Sequence, residues 1–126
     1  MSDMFQSILD THPDIICRFD EDLKFIYANQ AASVLFRFDR SALIGKPLID
    51  HVPESQKVEV YDRLRGLSVN NPTITTLHKV TREHGILYIL WTNIAVIKDG
   101  VLTGYQSVGR DVSPETRRRH EIRDQA

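Results

Sequence analysis

The 126-residue chain holds one cysteine, Cys17, so no disulfide can form within it, and such usage suits a reducing, cytoplasmic setting. No apolar run approaches the roughly 20 residues that a spanning helix needs. Nor does the N-terminus read as a signal peptide, because Asp3 and Asp10 interrupt it and no basic region precedes them. Charge of one sign is also missing. Sixteen Lys and Arg against 17 Asp and Glu leave a net charge of −1, which writes no global pull toward nucleic acid or a membrane surface into the composition. Glycine is sparse, with six in all, and the GxxxxGK phosphate-binding pattern is absent. One cysteine and five scattered histidines lack the spacing of a zinc site. Ser, His and Asp are present but in no catalytic motif's context, so the chain reads as a non-enzyme. The run Arg117, Arg118, Arg119 reads as a solvated helix face and not as a nucleic-acid patch.

What is there is a mixed pattern of periods. Residues 2–11 place Met4, Phe5, Ile8 and Leu9 at helical spacing, with Ser2 as cap and Pro13 beyond the end. Residues 15–19 and 24–28 read as a strand pair joined by a turn at Asp20, Glu21 and Asp22. Asn29 is placed to cap the helix that starts at Gln30. Short helical turns follow around 41–43 and 48–51, punctuated by Gly45, Pro47 and Pro53. A longer helix is predicted over about 54–67, with Val58, Tyr61, Leu64 and Leu67 on one face. The remainder is β: strands over 73–82, 86–97 and 101–112, separated by a turn at His84-Gly85 and by the strong hairpin signal Asp99-Gly100. Ser113-Pro114-Glu115 reads as the start of an outgoing helix. Hairpins linking the last three strands predict an α+β domain, one antiparallel sheet with helices on one side.

Several strings, in order, resemble the PAS family. They are Phe25-Ile26-Tyr27-Ala28-Asn29-Gln30-Ala31, Leu43-Ile44-Gly45-Lys46-Pro47, and Leu90-Trp91-Thr92-Asn93 followed by Gly104-Tyr105-Gln106-Ser107-Val108-Gly109-Arg110-Asp111-Val112-Ser113. The last pair is similar to the WTN…YQSVGRDIT pattern of a bacterial sensory branch. The resemblance implies a PAS fold: a five-stranded antiparallel sheet, helices on one face, and an N-terminal amphipathic helix. It divides the chain into a cap helix at 1–12, a PAS domain at 13–113, and the start of a signalling helix at 114–126.

It also implies a function. PAS domains serve signal transduction inside sensor kinases of two-component systems, cyclic-dinucleotide enzymes and transcription regulators. The expectation is a cytoplasmic sensor that binds a small apolar or aromatic ligand, or a partner, and relays the change to an effector domain of a longer parent protein. Asp111, Val112 and Ser113 resemble the family's output motif, in which the acid anchors the strand end and the hydroxyl caps the outgoing helix. The alternative is a ligand-free dimerisation module. A haem or flavin redox sensor ranks third. Haem-binding relatives carry an axial histidine on the long helix, where this chain has none and Val60 stands nearby; His51 reads instead as a helix-end hydrogen-bonding residue. Photoactive flavin relatives carry a reactive-cysteine string after the central helices, where this chain has Asp50-His51-Val52-Pro53-Glu54. Cys17 reads as a small core residue.

By analogy with flavin-binding relatives, the face of the long strand that carries Leu90 and Thr92 is expected to line a pocket. Leu35, Phe36, Leu64, Tyr105, Ser107 and Gly109 join it there, Gly109 leaving open space beneath the sheet. A turn centred on His84-Gly85 would set His78 opposite Trp91. Leu87, Ile89 and Trp91 fall on the other face. With Phe5, Ile8 and Leu9 they are expected to form a helix-on-sheet layer supporting a homodimer, since both faces of the strand are apolar.

Overall fold

The computed structural model describes residues 2–83 and 85–114, with side chains from Ser7 onward. Helix α1 (Ser2–Thr11) leads into strands β1 (Ile15–Asp20) and β2 (Phe25–Ala28). Helices α2 (Gln30–Phe36) and α3 (Arg40–Leu43) follow, then two 3-10 turns (Leu48–His51 and Glu54–Gln56) and helix α4 (Lys57–Arg65). Strands β3 (Thr73–Arg82), β4 (Gly85–Lys98) and β5 (Val101–Asp111) complete the chain as described. The sheet is antiparallel throughout, in the order β2-β1-β5-β4-β3. The chain is thus α+β, with its first strand inserted between the second and the last.

Local chemistry explains the joints. Asp20 turns the first hairpin by accepting the backbone N–H groups of Asp22 and Lys24 on one carboxylate oxygen. Asp99 and Gly100 both take positive φ, 53° and 77°, which is the type I′ geometry that matches strand twist. Helix α4 is shorter than its apolar pattern predicts: a 3-10 turn after Pro53 precedes it, and it closes at Gly66. Its buried side carries Leu64, with Val60 and Tyr61 packed beside it, while Val58 is 74% exposed.

Asn29 ties three elements together and is completely buried. Its Oδ1 accepts from Ala32 N–H, capping α2, and from Ile16 N–H on β1, each at 3.0 Å. Its Nδ2 donates to the carbonyls of Leu9 and Asp14 at 3.0 and 2.8 Å, and more distantly to that of His12. Every polar atom of the side chain is used, as burial demands. Tyr27 Oη donates to Asp10, which also pairs with Arg40 at 2.7 Å, so the end of α1 is held beside β2, α2 and α3. The Tyr27 hydrogen bond, with Arg40 behind it, lowers the Asp10 pKa against a smaller opposing effect of burial.

This placement corrects one expectation. Helix α1 docks beside α2, and does not lie over Leu87, Ile89 and Trp91. Ile89 is 1% exposed inside the main core, and Leu87 and Trp91 pack against that core. Ile8 and Leu9 are exposed; the Phe5 side chain lies outside the described residues. The core itself fills the space between one face of the sheet and the helices, where Phe19 and Phe25 meet at a ring-centroid distance of 4.8 Å and Phe36 stands edge-on to Phe25.

Candidate functional site

Beneath the helices the sheet is not completely filled. A cavity of about 690 Å³ remains there, a volume suited to a small organic molecule. Helices and turns contribute Leu35, Phe36, Leu48, His51, Val60 and Leu64 to its wall. The sheet contributes Cys17, Phe19, Thr76, His78, Val80, Trp91, Asn93 and Ser107.

The lining from β4 is the reverse of the sequence expectation. Leu90 and Thr92 point to the outer face, and Leu90 is 37% exposed, while Trp91 and Asn93 floor the cavity. The cause is one residue. A plain two-residue hairpin at Asp99-Gly100 pairs Lys98 with Val101 and Ile97 with Leu102, as observed, and would carry on to set Thr92 opposite Ser107. Instead the register shifts between Val96 and Ile97, so Val96 faces Gly104 and Thr103 becomes an extra residue in β5. Asn93 then pairs with Ser107 and Trp91 with Gly109. Side chains directly opposite share a face, so leaving Thr103 out of the ladder, where a plain frame would pair it with Val96, exchanges the two sets of β4 side chains relative to β5.

Thr103 Oγ1 donates to the Val96 carbonyl at 3.2 Å, at the point of the shift. In the β3–β4 hairpin Arg82 pairs with Gly85, so His78 lies opposite Ile89 and Thr76 opposite Trp91.

Gly109 offers no open space. A Cβ there would lie 2.8 to 3.0 Å from three carbons of the Trp91 six-membered ring, so the indole already occupies the bare stretch of β5. Tyr105 shares the concave face but is packed into the core, opposite Ala95. Leu35, Phe36, Leu64 and Ser107 do stand on the cavity wall.

The polar groups of the wall fall into two sets. On the floor, Ser107 Oγ donates to Asn93 Oδ1 at 2.7 Å, in a buried pair. At the rim, Arg63 donates to His78 Nε2 and to the Glu59 carboxylate. Because a guanidinium only donates, His78 must accept through Nε2 and is neutral. Burial, then the neighbouring Arg63 charge, lowers the His78 pKa. Arg82 donates to the Leu35 carbonyl at the end of α2. Next to it Arg37 makes a bidentate pair with Glu83, both contacts 2.8 Å, and this holds the Glu83 carboxyl down at about 2. These contacts join α2 to the β3–β4 hairpin across one side of the cavity.

His51 is unlike the rest. Its ring stands edge-on to Phe25, Phe36 and Phe38, with centroid distances of 5.7, 6.2 and 4.8 Å. Both ring nitrogens are buried without a hydrogen-bond partner among the described residues, so it does not act as the expected helix-end hydrogen-bonding residue. Burial pushes the Cys17 thiol up to about 12, which makes it a core residue and not a nucleophile. Among the described residues no three His, Cys, Asp or Glu come together to hold a metal ion, and no helix is long and apolar enough to cross a membrane.

The end of β5 is fastened to the middle of the sheet. Val112 N–H donates to the Tyr88 carbonyl, and Tyr88 N–H donates to Ser113 Oγ, each at 2.8 Å. Ser113 N–H in turn donates to Asp111 Oδ1 at 2.8 Å. Asp111 accepts the first N–H of the outgoing turn, and the Ser113 hydroxyl clips that turn to β4. The helix predicted over 114–126, including the Arg117 to Arg119 run, lies outside the described residues past Pro114.

The β2-β1-β5-β4-β3 order, the cavity beneath it and the clip at the end of β5 coincide with a match of the PAS fold family over residues 3–112. The chain belongs to the PAS fold family. It is similar in structure to the PAS domain of a Colwellia psychrerythraea protein, with 16% identity, a TM-score of 0.75, and coverage of 90% of this chain and 98% of that one. VqmA of Vibrio cholerae, a LuxR-type receptor, is similar at 19% identity and a TM-score of 0.76 over 91% of this chain, which spans 52% of VqmA. The PAS domain of a LuxR-family transcriptional regulator from Burkholderia thailandensis, solved in complex with ethanol, is similar at 18% identity and a TM-score of 0.67, over 86% of this chain and 97% of that one. A search of curated proteins returns no match.

Sequence reasoning missed Asn93, Trp91, His78, Arg63 and Arg82 as cavity residues. Asn93 carried a usable signal. It is the one polar side chain in the set Leu87, Ile89, Trp91, Asn93, Ala95 and Ile97, and a lone amide on an apolar face is placed there at a cost unless something uses it.

Proposed function

We propose that this PAS domain is a non-catalytic sensory module. It takes a small molecule into the cavity between the sheet and the helices, and passes the change along β5 to an effector domain of a longer, cytoplasmic signalling protein. The observation that carries this reading is the cavity of about 690 Å³ floored by β4 and β5. The floor strands continue directly into the clip formed by Asp111, Val112, Ser113 and Tyr88. A guest pressing on Trp91 or Ser107 acts on the strand whose end holds the exit turn. Signalling requires that the guest favour one of two arrangements of that turn, since binding both equally shifts nothing. The printed descriptions of VqmA as a receptor and of the Burkholderia regulator's ethanol complex add support by analogy.

The test is native mass spectrometry with an absorbance scan on protein purified without denaturant. A stoichiometric adduct, lost when the cavity is filled by Ser107→Phe, is the expected result. Bare protein mass from every expression host, with unchanged amide resonances on adding cell extract, overturns the reading.

A second reading, a dimerisation module, draws on the outer face. Leu77 and Leu90 are direct cross-strand partners there, 55% and 37% exposed. A strict monomer in light scattering at tens of micromolar removes it.

A further inference from the structure

The charges around the cavity are already spoken for. Arg63 is held by Glu59 and His78, and Arg82 by the Leu35 carbonyl. Arg37 is held by Glu83. Lys79 lies over the Tyr88 ring on the outer face, with Nζ 6.0 Å from the centroid. An anionic guest would have to draw Arg63 from Glu59 or Arg82 from the Leu35 carbonyl at the rim, past the exposed Asp50 carboxylate, because the floor of Asn93, Ser107 and Trp91 brings no cation to it. Burying an unpaired charge is costly.

The floor offers something else. Asn93 spends its Oδ1 on Ser107, and its two amide hydrogens meet no acceptor among the described residues although the residue faces the cavity. Beside it the Trp91 ring is laid across Gly109, and it also lines the cavity. A flat aromatic shelf therefore adjoins an unused N–H donor, under walls supplied by Phe36, Phe38 and His51.

Resting on the ligand-sensing reading above, we infer that the cavity selects a neutral, flat, ring-bearing molecule with a ring-nitrogen or carbonyl acceptor. That molecule stacks against Trp91 and accepts a hydrogen bond from Asn93 Nδ2. An aromatic plane on the indole uses offset stacking, and the acceptor completes an amide that is otherwise half satisfied. Discrimination against an analogue that lacks the acceptor follows, because a buried donor left unpaired penalises the wrong guest.

The probes are quinoxaline, naphthalene and 2-naphthoate, which share a two-ring outline and differ in acceptor and charge. Trp91 is the only tryptophan in the chain, so its indole N–H gives a single NMR resonance that reports on the floor. Quinoxaline should move that resonance and bind about tenfold more tightly than either analogue, a difference of about 1.4 kcal/mol. Asn93→Ala should level quinoxaline with naphthalene while the amide spectrum stays folded. If that variant does not fold, Asn93→Asp keeps an acceptor for Ser107 but removes the donor, and it should reject quinoxaline.

Equal or tighter binding of 2-naphthoate or naphthalene overturns this inference and leaves ligand sensing standing. Failure of all three probes to move Trp91 overturns it as well. The sensing reading then stands or falls separately, on the mass-spectrometric adduct.

Discussion

Trp91 lies across Gly109, its directly paired neighbour on β5, so closely that a Cβ on the glycine would fall 2.8 Å from the ring. The pair links the cavity floor to the strand that leaves the domain. Gly109→Ala should destabilise the fold by about 1–3 kcal/mol, the cost of overpacking a filled site. In a Trp91→Leu background the same substitution should cost much less. A double-mutant cycle from denaturant midpoints measures the coupling, and additive effects would mean the ring yields freely.

Asn29 offers a sharper test of the α1–β1–α2 joint. Asn29→Ala removes a helix cap and leaves the Ile16 N–H buried without an acceptor, which should cost about 2–4 kcal/mol. Asn29→Asp keeps the acceptor but turns a carboxylate oxygen toward the carbonyls of Leu9 and Asp14. The ionised form is disfavoured there, so this variant should gain stability as pH falls and its carboxyl becomes a donor. Thermal melts between neutral and mildly acid pH check the direction.

Cys17 should resist thiol reagents in the folded protein and react fully once unfolded, since burial places its pKa near 12. Linkage gives the sign. The folded value lies above the unfolded one, so the thiol's contribution is intact below the free-thiol pKa and is lost as pH rises from there toward 12. Cys17→Ala should flatten that part of the alkaline stability profile.

Ser113→Ala should leave most of the sheet unchanged but release the Tyr88 N–H, which the serine hydroxyl now accepts. Hydrogen exchange at Tyr88 should accelerate while amides in β1 keep their protection. Equal acceleration everywhere would point to global loss of stability instead of an opened clip.

Glu83→Ala should loosen the hairpin against α2. Its bond to Arg37 is exposed at the surface, so the change is expected in the exchange rates of the β3–β4 hairpin and in the rate of ligand entry, with little effect on the melting temperature.

Much of the fold was legible because local chemistry wrote it. Asp99-Gly100 announced a hairpin, Asn29 a helix cap, and strict alternation placed Tyr105, Ser107 and Gly109 on one face of β5. The cavity floor was misread for a physical reason. Both sets of side chains along β4 are apolar, so hydrophobicity could not say which face was inside, analogy with flavin-binding relatives chose the Leu90 face, and the Asp99-Gly100 signal carries no sign of the extra Thr103. The rim residues Arg63, Arg82 and His78 were invisible for a different reason. Their roles depend on contacts between α4, α2 and β3, which no local pattern encodes.

Thr103 makes the chemistry of the cavity depend on strand register as well as on residue type. Deleting that one residue would close Leu102 onto Gly104 and keep Asn93 opposite Ser107 and Trp91 opposite Gly109. Keeping it but flattening the bulge, with Thr103 drawn into the ladder opposite Val96, would bring Thr92 opposite Ser107 and Leu90 opposite Gly109. The indole and the amide would then be offered to the solvent side, and a leucine and a hydroxyl to the guest. A one-residue slip between two strands would thus re-specify what the domain senses, with no substitution anywhere in the chain.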